Sequence, residues 1–374
     1  MSDFSILSRW GWNSRWHAVW NGLLQSLSGT TLATSGLFPA KVTGREGPLF
    51  ALETPEGSAW GHLSGRFRHE AVALDLPLVG DWVAVQSAEV GKAVIHAVLP
   101  RRTLFSRMVV KGQTETNSPL AANLDVLGIV TGLDANFNPQ RAQRLATLAR
   151  QGGILPLWIL SKADLPGAEA KVTLARKAAG SDPVIALSPL TGEGVTDLDP
   201  WLQPGWTVAL AGSSGVGKTT LTNLLRQSSG AGNDLDTGEV RAADSKGRHT
   251  TTSRHLYRLE NGTLLMDAPG FRTVGLWADE EALEESFADI AELALKCRFD
   301  DCSHEGEPGC AVRDALDSGE LDVGRWKGWQ KQLREVRHLE RQGDIVAQRA
   351  ERDKWRGIHQ SMRGFSKERR AGGR

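Results

Sequence analysis

The chain has 374 residues, 40% of them hydrophobic, with 44 basic and 44 acidic side chains and a formal net charge of zero. This length allows two or three domains with buried cores, and the balanced charge excludes a molecule that is a polycation throughout. No apolar run approaches the roughly 20 residues needed to span a bilayer, and the amino terminus lacks the pattern of a signal peptide. We therefore expect a cytoplasmic monomer without a membrane partner.

Residues 1–35 form a Trp-rich N-terminal extension that includes Trp10. Trp12, Trp16 and Trp20 follow one another at intervals of four residues, so a helix would carry their indoles on one face. Packing of that face against a neighbouring domain is the first interpretation, and stacking on RNA or on a partner is the alternative.

Residues 36–105 alternate in the manner of short β-strands separated by Gly, Pro and charged turns. Five such strands are typical of a small all-β barrel of the OB-fold type, which often binds oligonucleotides. Arg101, Arg102 and Arg107 follow the last strand and can contact phosphate or simply solvate a linker. The predicted strands are residues 37–43, 48–52, 59–63, 79–85 and 93–98.

Strands and helices alternate over residues 116–276, which predicts an α/β domain with a mostly parallel sheet and ligand loops at the carboxyl ends of its strands. Asn138 and Pro139 predict a helix start, because a capping side chain precedes a proline in the first turn, and Gly152 ends that helix. The predicted strands are residues 126–130, 155–160, 183–187 and 206–211, followed by a hairpin over 255–266.

The sequence GSSGVGKT, residues 212–219, has the pattern of a phosphate-binding loop between an apolar strand and a helix. Its glycines let the backbone turn so that N–H groups face phosphate oxygens. Lys218 would reach the β- and γ-phosphates, and the Thr219 hydroxyl would bind Mg²⁺. The residues that we expect to bind the nucleotide here are Gly212, Ser213, Ser214, Gly215, Val216, Gly217, Lys218, Thr219 and Thr220.

The sequence SKAD resembles the Asn-Lys-x-Asp motif that reads guanine, although it lies upstream of the phosphate loop. Asp164 can accept hydrogen bonds from guanine N1–H and from the exocyclic amine, a pair that adenine does not present. Lys162 would lie along the base or ribose, beside Ala163, whereas Ser161 replaces the usual Asn and alters one supporting hydrogen bond. The turn that begins at Ser188 can place a backbone N–H at guanine O6.

The sequence DAPG follows the predicted hairpin, where a magnesium-associated aspartate belongs. Asp267 would hold Mg²⁺ through water, and the Gly270 N–H would contact the γ-phosphate. Between the phosphate loop and DAPG, the polar stretch KGRHTTT suits a switch, in which Thr250 or Thr251 would close over Mg²⁺ when the γ-phosphate is present.

Phe271 stands where many GTPases carry a glutamine that orients the attacking water. Phenylalanine cannot do this, so we expect slow intrinsic hydrolysis unless another group assists. His249, inside the switch, is our candidate for that catalytic group.

Residues 277–374 predict a mostly helical domain that contains the motif C-x4-C-x-H-x5-C. Cys297, Cys302, His304 and Cys310 would fill a tetrahedral zinc shell with no open position, so we expect one structural Zn²⁺ per chain. These three cysteines are all that the chain has, which argues against a disulfide framework. Residues 324–374 carry 15 Lys and Arg against 6 Asp and Glu, a basic tail that is either a nucleic-acid contact or a solvated helix.

The order SKAD, SPLTGEG, GSSGVGKT, GRHTTT and DAPG, with a barrel before it and the zinc motif after it, resembles the ribosome small-subunit-dependent GTPase A family. The resemblance implies a circularly permuted P-loop GTPase domain between an OB-type barrel and a helical zinc-binding domain. It also implies hydrolysis of GTP to GDP, stimulated by the small ribosomal subunit late in the assembly of that subunit. The barrel, the zinc domain and the tail would contact ribosomal RNA near the decoding region.

Three alternatives remain open from the residues alone. The GTPase can serve another RNA client, such as tRNA, or the protein can be an RNA-binding module that holds nucleotide without turnover. In the third alternative, SKAD is incidental and the phosphate loop binds ATP.

Overall fold

The computed structural model describes residues 4–27, 36–71, 74–111, 114–213, 215–227, 254–267, 283, 286–299 and 302–334. These residues form a closed barrel, a six-stranded nucleotide-binding sheet and a group of C-terminal helices. None of the helices in these ranges is long and apolar enough to cross a membrane.

Five strands close the predicted barrel, because the first strand pairs with both the second and the fourth. The third and fifth strands are parallel, and helix α2 (Gly65–Glu70) lies between the third and fourth strands, capped by the Ser64 side chain. The strands are β1 (Leu37–Glu46), β2 (Leu49–Thr54), β3 (Gly57–Leu63), β4 (Trp82–Glu89) and β5 (Lys92–Val98).

The fourth strand starts three residues later than we predicted, at Trp82, and a turn replaces its expected beginning. Gly80 has φ +96° in this turn, and a Cβ there would lie 2.1 Å from the Ala122 carbonyl oxygen. The backbone of the following segment therefore occupies the space that a side chain would need, and the chain must turn before the strand can begin.

The N-terminal extension packs against the barrel, as the tryptophan spacing predicted. A 3₁₀ helix (Ser5–Trp10) leads to helix α1 (Ser14–Leu27), whose Trp16 and Trp20 are buried. The ring centroid of Trp12 lies 4.7 Å from that of Trp82 at an interplanar angle of 73°. An edge-to-face aromatic cluster thus joins the extension to the barrel wall.

The nucleotide-binding sheet has the order β10-β9-β8-β11-β13-β12. All neighbouring pairs are parallel except β12 with β13. Helix α3 begins after the predicted Asn138 cap and ends before Gly152. The elements are β8 (Val126–Gly132), α3 (Pro139–Gln151), β9 (Leu155–Ser161), α4 (Ala168–Ala179), β10 (Val184–Ala186), β11 (Thr207–Ala211), α5 (Lys218–Gln227), β12 (His255–Arg258) and β13 (Leu264–Asp267).

Two features between the barrel and this sheet were not predicted. A two-stranded hairpin, β6 (Leu104–Lys111) with β7 (Thr114–Ala122), connects them along the chain. In addition, Gly44 of β1 pairs with His255 of β12, so the barrel and the nucleotide sheet form one sheet of 11 strands.

The arginines after the barrel have structural partners. Arg101 donates to both carboxylate oxygens of Asp81, whose side chain is fully buried, and to two backbone carbonyls. Arg102 pairs with Asp125 at the start of β8. Arg101 therefore stabilises the barrel internally, whereas Arg102 joins the barrel to the next domain, and neither role was among our two expectations for these side chains.

The C-terminal helices share one apolar core with the nucleotide domain, in which Phe287 and Val312 pack together with Leu127 and Trp158. The helices are α6 (Ala288–Ala294), α7 (Ala311–Ser318) and the helical residues 323–334. Buried Arg325 connects the two parts, because it bonds Asp289 and also the Ala178 carbonyl at the end of α4.

Candidate nucleotide site and metal centre

Three polar loops and the end of β13 meet at one edge of the nucleotide sheet. Strands β9, β10, β11 and β13 run parallel in this sheet. SKAD, the Ser188 turn and the phosphate loop lie at the carboxyl ends of the first three, and Asp267, the first residue of DAPG, ends β13. Because carboxyl ends of parallel strands lie at the same edge, motifs that are more than 100 residues apart in sequence come together.

The phosphate loop has the backbone that its glycines predicted. Gly212, Gly215 and Gly217 have φ values of +144°, +77° and +89°. A Cβ on Gly212 would lie 2.2 Å from the Val130 carbonyl oxygen, so only glycine fits there. Lys218 opens α5, and its ammonium donates to the Gly212 carbonyl at 2.9 Å, so it lies over the loop.

The remaining described residues of the loop differ in their exposure. Ser213 is half-buried, Val216 is buried under the loop, and Thr219 and Thr220 are exposed in the first turn of α5. The hydroxyl of Thr219 is therefore accessible to a cation that approaches with the phosphates. Hydroxyl oxygens are ligands that Mg²⁺ accepts.

Ser161 bonds the guanine motif to the phosphate loop. Its side chain is fully buried, and its hydroxyl donates to the Val216 carbonyl at 2.6 Å. The shorter serine thus supplies a hydrogen bond between the two motifs where the usual residue is asparagine. Through this bond, the position of the base-reading turn depends on the phosphate loop.

The rest of SKAD forms a turn at the end of β9. Lys162 has φ +63°, and its ammonium lies 2.5 Å from Asp134, which follows β8. This ion pair lowers the pKa of the Asp134 carboxyl. The Ala163 N–H donates to the Leu187 carbonyl, and Asp164 is exposed, so its carboxylate is accessible to a base.

The turn after β10 is closed by its own hydrogen bonds. The Ser188 N–H donates to the Glu193 carbonyl, and the Ser188 hydroxyl accepts from the Thr191 N–H. Pro189 has no N–H, so Leu190 is the residue of this turn that we expect to offer an N–H to guanine O6.

Two side chains at the site were not predicted. Asp134, described above, orients Lys162. Arg141, in the first turn of α3, donates to the hydroxyl of Ser213 in the phosphate loop. Polar residues immediately after β8 are the signal that could have indicated Asp134, whereas the contact of Arg141 spans 72 residues and has no local pattern.

Several predicted site residues lie outside the described part of the chain. They are Ser214, His249, Thr250, Thr251 and Gly270, together with Phe271. The backbone of Asp267 pairs with His255 at the end of β13. Most of the basic tail, residues 335–374, also lies outside the described ranges.

Cys297, Cys302, His304 and Cys310 converge after α6 and at the start of α7. Their candidate ligand atoms all lie within 4.8 Å of one another. His304 Nδ1 is 3.5 Å from the sulfurs of Cys297 and Cys310, and these two sulfurs are 3.9 Å apart.

These separations fit a tetrahedral zinc ion. With bonds of about 2.3 Å to sulfur and about 2.0 Å to nitrogen, a tetrahedron places two sulfurs about 3.8 Å apart and sulfur about 3.5 Å from nitrogen. His304 also packs edge-on against Trp326 with ring centroids 6.0 Å apart, which holds the imidazole in place. The cluster can therefore hold one zinc ion.

The fold and the order of the motifs together define a class of protein. The sheet and its loops are those of a P-loop nucleotide-binding domain, but the guanine motif precedes the phosphate loop in the chain, whereas in an ordinary GTPase it would come last. The molecule is a circularly permuted GTPase with a barrel before the GTPase domain and a candidate zinc site after it.

Known proteins agree with this class. Residues 98–277 match the family model described as RsgA GTPase. The "Small ribosomal subunit biogenesis GTPase RsgA" of Opitutus terrae is 45% identical over 350 residues, covering 88% of this chain and 92% of the relative. The protein of the same name from Syntrophotalea carbinolica is 38% identical over 330 residues, covering 86% and 90%.

Solved structures show the same fold. YjeQ from Thermotoga maritima superposes with a TM-score of 0.60 at 25% identity, over 80% of this chain and 98% of that one. YloQ, described as a circularly permuted GTPase, superposes with a TM-score of 0.57 at 22% identity, over 82% and 98%. The chain therefore belongs to the RsgA GTPase family, and it is a GTP hydrolase.

Proposed function

We propose that this protein acts on the small ribosomal subunit, late in its assembly, and that the subunit stimulates its GTP hydrolysis. The observation that carries this proposal is the 45% identity to a small ribosomal subunit biogenesis GTPase over 92% of that relative's length. Residues 98–277, which include the GTPase domain, match the RsgA GTPase family model, and the barrel is of a type that often binds oligonucleotides.

We propose roles for the described residues of the nucleotide site. The loop around Gly215 holds the phosphates through its backbone N–H groups, and Lys218 moves from its loop carbonyls to the β- and γ-phosphates. Asp164 accepts from the guanine edge, while the pair between Lys162 and Asp134 keeps the turn in place. Mg²⁺ would neutralise developing charge on the phosphate oxygens, with Thr219 and Asp267 as its protein partners.

The rest of the mechanism depends on the switch stretch. Thr250 or Thr251 would close the site in the GTP state, with the Gly270 N–H at the γ-phosphate, and His249 would position the attacking water, because Phe271 cannot. GTP would favour the docked state, and hydrolysis on the subunit would release the protein. In this proposal the subunit positions the catalytic group next to the attacking water, which gives its stimulation of hydrolysis a physical reason.

We further propose that zinc is structural, one ion per chain, and that the domains are 1–35, 36–105, 116–276 and 277–374. Four protein ligands leave no position for water or substrate, which supports a structural role. The ribosomal RNA contacts would lie on the barrel, the zinc-binding domain and the basic tail, so the protein would bind its partner over several surfaces. We also propose that the protein is a cytoplasmic monomer.

The decisive experiment is GTP turnover by the purified protein alone and with small ribosomal subunits. We expect strong stimulation by small subunits, with no effect of large subunits and no hydrolysis of ATP. The absence of stimulation by the small subunit would contradict the proposal and favour another RNA client. Binding without turnover on any RNA would instead favour a non-hydrolysing module.

Substitution of the guanine-reading carboxylate tests the nucleotide assignment separately. Asp164→Asn converts an acceptor into a donor, so we expect the preference for GTP to fall and xanthosine triphosphate to bind better. Nucleotide competition measures this directly. Unchanged preference would indicate that SKAD does not read the base.

A further inference from the structure

A second cavity lies at the opposite edge of the nucleotide sheet from the phosphate loop. Its volume is about 580 Å³, which is in the range of pockets that bind small molecules. The N-terminal extension, Lys41 of the barrel and the amino-terminal ends of β8 and β11 line it, and it is partly open to solvent. None of the nucleotide-site residues lines it, so it is a separate candidate site.

The charges of its walls favour an anion. Four cations and two anions line the cavity, which gives a net charge of +2. One of the anions, Asp125, is already occupied, because it accepts from Arg102 and from the Thr207 N–H. The charged lining residues are Arg9, Lys41, Arg102, Asp125, Arg258 and Glu260.

Lys41 is a buried cation with capacity for a ligand. The residue is 3% exposed, and its ammonium donates to the Gly80 carbonyl at 2.8 Å and lies 4.9 Å from the centre of the Trp82 ring. This is the one hydrogen bond that the ammonium makes within the described residues, although it can donate three. Burial lowers its pKa to about 8, which still leaves it charged at neutral pH.

Aromatic side chains in the lining of the cavity offer a second kind of contact to a ligand. Trp10 of the extension and Trp206 before β11 both line the cavity and are only half-buried, so part of each indole is accessible. Indole faces stack on nucleobases without requiring a particular base. A cavity lined by the buried Lys41 ammonium and by two partly accessible indoles matches a ligand that has a phosphate and a flat ring.

We propose that this cavity binds a mononucleotide, with its terminal phosphate at Lys41 and its base against Trp10 or Trp206. The depth of Lys41 decides between a free nucleotide and an RNA chain. A terminal phosphate is narrow enough to reach an ammonium that is nearly inaccessible. An internal phosphodiester carries a sugar on each side, and these sugars would prevent it from approaching the ammonium. This inference rests on the cavity alone and is independent of the client of the GTPase.

The test uses the full-length protein with its guanine site saturated by GDP, and AMP as the probe, with binding measured by calorimetry. We expect one additional saturable site. Lys41→Met keeps the side-chain volume but removes the charged donor, so AMP should bind about tenfold more weakly or worse. Lys92→Met, at an exposed barrel lysine, is the matched control and should bind AMP like the wild type.

Arg258→Ala provides a second variant, since Arg258 is exposed and its loss should not affect folding. We expect weaker AMP binding in this variant also. No saturable binding of AMP to the wild type would overturn the proposal, as would inorganic phosphate binding as tightly as AMP. Displacement of AMP by an oligoribonucleotide without terminal phosphates would also overturn it and would assign the cavity to RNA.

Discussion

The Ser161 hydroxyl oxygen joins two loops, and this one hydrogen bond should contribute measurably to stability and to nucleotide binding. The hydroxyl is the donor to the buried Val216 carbonyl, and no solvent can replace it there. We expect Ser161→Ala to lower the free energy of unfolding by about 1–3 kcal/mol, because a buried acceptor loses its partner. GDP binding should weaken as well, since the guanine turn would no longer be fixed to the phosphate loop.

Denaturant unfolding and GDP titration measure the two effects of Ser161→Ala. Thr173→Ala is the matched control, because the Thr173 hydroxyl bonds a backbone carbonyl on the exposed face of α4. Loss of stability in both variants to the same extent would show that the loop-to-loop bond has no special value.

The lowered pKa of Lys41 predicts how the stability of the protein depends on pH. Burial lowers its pKa from 10.5 to about 8, while the nearby Asp81 and Asp125 raise it and Arg102 lowers it further. Between pH 8 and 10.5 the unfolded chain therefore binds more protons than the folded one, so this group makes stability rise with pH across that window. Below pH 8 the folded state carries the full cost, about 3 kcal/mol.

The variant Lys41→Met removes this cost. Without ligand, we expect it to be more stable than the wild type at pH 7, and the difference should shrink as the pH rises from 8 to 10.5. Urea unfolding across that range tests this. A difference that stays constant with pH would mean that the buried lysine is not charged at pH 7.

At the scale of elements, the zinc cluster should hold α6 and α7 together. Cys310 caps α7 by accepting from the Arg313 N–H, and Cys297 follows α6, so the ion would connect the end of one helix to the start of the next. We expect a chelator to lower the melting temperature and the helix content, because metal binding is coupled to folding in small loop-rich segments.

Cys302→Ser should reproduce the effect of the chelator and become insensitive to it, whereas the neighbouring Ser303→Ala should behave like the wild type. Elemental analysis should give one zinc per chain in the wild type. A chelator that removes zinc without changing the melting curve would contradict a structural role.

The elements that could be predicted from the sequence are those that a local pattern of residues is sufficient to define. β9 and β11 are apolar runs that end in loop motifs, and Asn138 with Pro139 defines the start of α3. The hairpin of β6 and β7 escaped prediction because β7 is mostly polar and contains Pro119, which the usual strand pattern disfavours.

Contacts between residues far apart in the sequence could not be predicted, for a different reason. Arg141 and Ser213 meet only because β8 and β11 are neighbours in the sheet, and Lys41 meets Gly80 only after the barrel closes. Nothing in the local sequence marks such partners. The motifs of the site were therefore predictable, whereas the bonds that fix their geometry required the fold.

At the scale of the whole molecule, Arg325 joins the C-terminal helices to the GTPase domain. Its side chain is buried and donates to Asp289, to the Ala178 carbonyl and to the Ser286 carbonyl, and its guanidinium lies 4.7 Å from the centre of the Phe287 ring. We expect Arg325→Ala to destabilise the protein by about 1–3 kcal/mol, because the buried Ala178 and Ser286 carbonyls would each lose a donor, whereas half-exposed Asp289 can be solvated.

Calorimetry of the variant should show whether the molecule still unfolds as one unit. The control is Arg334→Ala, at an exposed arginine of the following helical turns that bonds only the Gln330 carbonyl among described residues. A single unchanged transition in Arg325→Ala would mean that the shared apolar core alone holds the two parts together.

The pairing of Gly44 with His255 links the barrel mechanically to the nucleotide sheet. A Cβ on Gly44 would lie 3.0 Å from the His255 imidazole, so the two strands approach closely. β1 is also fixed on both sides within the barrel, and a slip of one residue, about 3.3 Å, would turn its buried face outward. Torque applied to the barrel by a bound partner can therefore reach β12 through this pairing, and from β12 it can pass through β13 to the edge where the phosphates are expected to bind.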